Sequence, residues 1–102
     1  MFFVRRVEGL SMAPVFLPGK IVFAWRLRKP RVGDVVIVRH HHLELIKRVD
    51  KIDGNRVYLL GDNPDESTDS RQYGWLPTAS ILGVVVGGYN PKSVVPAVEP
   101  EG

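Results

Sequence analysis

Apolar side chains in this chain recur at every second position far more often than at helical spacing. Successive side chains of an extended segment point to opposite faces, so such segments bury one face as strands. The alternation predicts strands over residues 3–8, 21–27, 35–39, 43–52, 56–60 and 81–89. Turn chemistry separates them. Pro30 and Gly33 break the chain before the third strand, and Asp53-Gly54-Asn55 tolerates the positive φ of a tight hairpin. Residues 61–74 read as a long polar loop, and residues 77–80 as one helical turn. The fold class is therefore all-β, built of antiparallel strands as a sandwich or a partly closed barrel. A chain of 102 residues suits one domain, placed at residues 1–90. Residues 91–102, with Pro91, Pro96 and Pro100, read as a flexible tail.

The composition excludes several chemistries. With no cysteine there is no disulfide, thiolate metal site or cysteine nucleophile. No apolar run approaches the roughly 20 residues of a membrane-spanning helix. The net charge of +3 is concentrated at Arg5-Arg6 and at Arg26, Arg28, Lys29 and Arg31. No aromatic residues interleave these cations, so nucleic acid is not an expected partner. The basic clusters read as a solvated face or as a surface for anionic lipid. Phe2, Phe3 and Val4 read as the start of a buried strand, or as a contact with a membrane or a membrane-anchored partner.

One residue breaks the alternation. In the fourth strand Leu43, Leu45, Lys47 and Val49 share a face, while Glu44, Ile46, Arg48 and Asp50 share the other. Lys47 thus points with the apolar set. Burial favours a neutral amine, and a neutral amine at working pH is a general base. The alternative is a lysine whose head reaches water along an apolar stem.

A matching nucleophile lies in Gly9-Leu10-Ser11-Met12-Ala13-Pro14. Gly9 allows close approach of backbone to a substrate, Leu10 and Met12 offer apolar surface, and Pro14 fixes the chain beyond. A serine hydroxyl needs a base to become nucleophilic, and a desolvated lysine supplies one. The Ser11 N–H is a natural oxyanion donor.

Three segments resemble type I signal peptidases. The serine segment resembles their nucleophile box, Leu45-Ile46-Lys47-Arg48-Val49 their lysine box, and residues 61–74 their third box. The resemblance covers about residues 7 to 86. It implies a signal-peptidase-like catalytic core and a serine endopeptidase that removes a leader or signal segment from precursor proteins. Ser11 would attack and Lys47 would take and return the proton. Ser67 would orient the amine, Asp69 and Arg71 would brace the loop as an ion pair, and Gly9, Leu10 and Met12 would line the substrate cleft. The substrate, a precursor protein or peptide, would bind extended by adding a strand. No cofactor or metal is implied.

Gly9 stands where many bacterial members carry a second hydroxyl donor, and Val15 follows Pro14 in place of the commoner threonine. Neither the amino-terminal anchor nor the large bacterial insertion is seen. The form resembles short maturation proteases that trim the nickel superoxide dismutase precursor. It implies a cytoplasmic enzyme in that case and a membrane-associated one if the chain is a fragment.

A self-cleaving repressor-type protease domain shares the same serine and lysine. That reading calls for a DNA-binding module and a cleavage segment ahead of the serine, where this sequence has ten residues. A non-catalytic peptide-binding module that kept the fold is the third reading. His40-His41-His42 reads as a solvated hairpin or a weak metal contact, because two histidines on one strand face are an incomplete site. Asp62, Asp65, Glu66 and Asp69 lack the spacing of an EF-hand. Trp25, Tyr58, Tyr73 and Trp75 read as core or cleft wall.

Overall fold

The computed structural model describes residues 1–91. From residue 92 onward, the tail expected from the prolines lies outside the described residues. Strands β1 (Phe2–Arg6), β2 (Ile21–Trp25), β3 (Val35–His40), β4 (Leu43–Asp53), β5 (Arg56–Leu60), β6 (Leu76–Pro77) and β7 (Ile81–Tyr89) carry the fold. A four-residue helix α1 (Ser70–Tyr73) and single 3-10 turns at Pro64–Glu66 and Thr78–Ser80 complete it.

All seven strands join one antiparallel sheet in the order β1-β2-β7-β3-β4-β5-β6. The outermost strands β1 and β6 do not pair, so the sheet is open rather than a closed barrel. It is apolar on both faces. On β3, Val36 and Val38 enter one buried cluster with Val49, Val57, Leu59 and Val84. Ile37, between them, enters a second with Val7, Val22 and Ala24. That explains why β3 reads as a continuous apolar run: a strand covered on both sides needs no polar face. Each such side chain contributes about 1.5–3 kcal/mol on burial.

Two details place the site. First, β5 pairs with β4 from Arg48 to Asp53, and β3 pairs with β4 from Leu43 to Arg48. Residues 43–47 of β4 therefore have a strand neighbour on one side only. Second, β1 pairs with β2 alone, leaving its other edge unpaired. Phe3 holds β1 against β7: a Cβ at Gly83 would lie 2.6 Å from the Phe3 ring, so only glycine lets that ring settle there. Phe2 and Val4 point the other way and are exposed, with Phe2 packed on Trp25 at 4.4 Å between ring centroids.

Candidate active site

Lys47 is 3% exposed, on the same face as buried Val49. Burial pushes its amine below the ordinary lysine value. Asp69 opposes that shift and Arg71 adds to it. The amine donates a hydrogen bond to Ser67 Oγ at 3.0 Å. Ser67 Oγ in turn donates to Asp69 Oδ2, also at 3.0 Å. A hydroxyl has one proton to give. Because Ser67 spends it on the carboxylate, its lone pairs face the lysine.

Asp69 is fully buried and heavily satisfied. It accepts from the Gly61 N–H at 2.7 Å, from the Arg71 N–H at 3.1 Å and from the Arg71 guanidinium at 2.9 and 2.6 Å. Burial pushes its carboxyl up, but the Arg71 side chain, the two N–H donors and Ser67 more than offset this. They hold it far below the usual carboxylate range. Asp69 is also the N-cap of α1, in a capping box with Gln72. The Leu59 N–H donates to Ser70 Oγ at 2.9 Å, fastening the start of α1 to β5.

The serine segment folds as a tight turn, with the Ala13 N–H donating to the Leu10 carbonyl and the Phe16 N–H to the Met12 carbonyl. Gly9 takes φ +78°, which favours glycine. The Asn63 N–H donates to the Ser11 carbonyl at 2.8 Å, tying the third segment to the first. Gly61 lies between them: a Cβ there would sit 2.0 Å from Ser67 Oγ and 2.8 Å from the Ser11 carbonyl oxygen. The absence of a side chain at 61 is what lets Ser67 and the serine segment close on the start of the 61–74 segment.

Ser11 and Lys47 line one cleft of about 330 Å³. Its walls are residues 5–8, at the end of β1 and just beyond it, and residues 44–47 of β4, together with Val22 and Ile37. Of the residues expected in the cleft, Gly9 and exposed Leu10 are not among its walls. Met12 is not among them either. It is wholly buried, and its sulfur accepts from the Asp62 N–H at 3.4 Å. The turn folds its side chain inward, beneath the loop it supports.

Sequence reasoning missed Arg48. Its guanidinium grips Asp62 with two bonds of 2.9 and 2.8 Å and also donates to the Gly33 carbonyl at 2.9 Å. It fixes the start of the 61–74 segment to β4, one residue beyond Lys47. The signal available was a second arginine-length cation beside the lysine and an aspartate after Gly61; only the fold shows that they meet.

The histidines form the β3–β4 turn, with His41 at φ 51°. His40 stacks between His41 and Tyr73 at 4.2 and 4.4 Å. Among the described residues no group of three or more His, Cys, Asp or Glu side chains is placed to hold a metal ion. Asp62 and Asp69 are engaged by arginines. Tyr58 and Trp75 pack edge to face at 5.3 Å.

The sequence model of the family described as Peptidase S24-like matches residues 1–86. Over 89 residues, 83% of this chain, the sequence is 35% identical to a LexA repressor of Erwinia tasmaniensis. Over 64 residues, 62% of this chain, it is 36% identical to LexA repressor 1 of Pseudomonas syringae pv. tomato. The matches span 42% and 31% of those two relatives, so the chain corresponds to less than half of either.

Proposed function

Because the chain belongs to the Peptidase S24-like family, we propose that it is a serine endopeptidase in which Ser11 attacks the scissile carbonyl and Lys47 is the general base. The observation that supports this most is the buried lysine amine held by Ser67, in a cleft it shares with Ser11. With Ser67 facing the amine as an acceptor, one amine proton is directed at a fixed partner, and the lone pair of the neutral nitrogen can take the Ser11 proton. The protonated amine then passes that proton to the leaving amine. Water, deprotonated by the same lysine, hydrolyses the acyl-serine ester. The Ser11 N–H serves the oxyanion.

The substrate is an extended segment. The cleft runs between two strand edges that lack partners, β1 and residues 43–47 of β4, and an added strand would satisfy their main-chain groups. Two modes of action fit. One is cleavage of a separate precursor, which the signal-peptidase-like boxes suggest. The other is cleavage of a segment of the same polypeptide, in a repressor-type protein. The two relatives are both named repressors, and that favours the second mode.

The test uses two incubations of the wild-type chain, each followed by mass spectrometry. The chain alone reports self-cleavage, and the chain with a pool of random peptides reports cleavage in trans. Products that vanish in Ser11→Ala and Lys47→Met establish the dyad. A folded wild type that cuts neither itself nor the pool would favour a peptide-binding module.

A further inference from the structure

The cleft is bridged. Arg5 on β1 and Glu44 on β4 are far apart in the sheet order, with β2, β7 and β3 between their strands. Yet the Arg5 guanidinium meets Glu44 through both carboxylate oxygens, the Nη2–Oε2 contact being 3.0 Å. Both residues belong to the cleft wall that also holds Ser11 and Lys47. Arg39 adds a second cation to Glu44 at 3.2 Å, and the Arg5 guanidinium lies over the Phe3 ring at 4.9 Å. The bridge is thus held at each end by a further contact. Lys47 lines the same cleft yet is only 3% exposed.

We propose that the Arg5–Glu44 pair is a strap across the cleft, which opens to admit a substrate segment to the Lys47 amine. An extended peptide seated between the β1 edge and residues 43–47 of β4 occupies the interval that these two side chains span. Their side chains are 42% and 27% exposed, so the pair is a weak one and gives way readily. A buried pair in this place would lock the cleft, and no pair would leave the amine open to water. The strap matters to function through the reading of Lys47 as the base, but covering of the amine is measurable without any peptidase activity.

The experiment compares two amine reagents at Lys47, with site-resolved mass spectrometry of the modified peptides. Cyanate is small and carbamylates the neutral amine. Trinitrobenzenesulfonate is bulky; the amine forms the new C–N bond, and sulfite and a proton leave. The readout is the ratio of the bulky to the small rate, which cancels any change in amine protonation. We expect Glu44→Gln and Arg5→Gln each to raise that ratio about two- to fivefold. The exchange Arg5→Glu with Glu44→Arg, which rebuilds the pair, should return it towards wild type. Added salt should raise the ratio in wild type and not in Glu44→Gln. An unchanged ratio in both single variants overturns the strap. So do opposite changes in the two, which would report only the reagent's own charge. Failure of the peptidase reading would show instead as absent cleavage with the reagent ratios as expected.

Discussion

Ser67 stands between Lys47 and Asp69, accepting from the amine and donating to the carboxylate, each at 3.0 Å. Its hydroxyl proton is committed to Asp69, so the orientation of the base is set by a residue that itself carries no charge. Ser67→Ala removes this acceptor and leaves the amine free to rotate. We expect cleavage to fall by about tenfold or more with the fold retained. Initial rates and a thermal melt on the same sample check both halves.

Asp69 supports structure as well as orientation. Asp69→Ala strips partners from the Gly61 N–H and Ser67 and removes the N-cap of α1. The loss should be on the order of 3 kcal/mol, measured by denaturant unfolding. The carboxyl is held below its unfolded value, so its contribution is present at neutral pH. That contribution fades as pH falls below about 4. Acid unfolding of Asp69→Asn should lack this component.

Lys47 imposes a slope of the same sign in a more alkaline range. Its amine is held below the unfolded value of about 10.4, so the unfolded chain binds more protons in the interval between the two. Stability therefore gains from this residue as pH rises through that interval, and charging the amine below it is a penalty. Cleavage should rise with pH along the same limb. Lys47→Met should abolish cleavage and raise the melting temperature at neutral pH. A melt that falls instead would show that the amine is charged and paired in the folded state.

Gly61→Ala tests the close approach. The added methyl meets Ser67 Oγ at 2.0 Å and the Ser11 carbonyl at 2.8 Å, and one of them is main chain. We expect a loss of about 1–3 kcal/mol and near-complete loss of cleavage. Gly87→Ala, whose added Cβ meets only the Phe23 ring at 3.7 Å, serves as the distant comparison in β7.

The strands were legible because burial of one face imposes alternation, and Lys47 was legible because it violates that alternation on a face shared with Val49. Helix α1 and strand β6 were not. Four helical residues inside a polar loop have no periodicity to read, although Asp69 and Gln72, three apart, were the capping signal. The Arg48–Asp62 grip joins positions 14 residues apart and depends on how the loop returns to β4. The burial of Met12 was not legible because alternation says nothing about a turn; there the main chain decides which side chain faces inward.

The open sheet has a colloidal consequence. Main-chain groups of the β1 edge and of residues 43–47 of β4 can pair with any extended chain, including a neighbour's unfolded segment. Arg5, Arg6 and Glu44 stand on those same edges, where charge discourages sheet extension between copies. A port built to receive one strand is in concentrated solution also a nucleus for many. Substitutions that neutralise its rim will lower the protein's solubility limit even where they leave folding untouched.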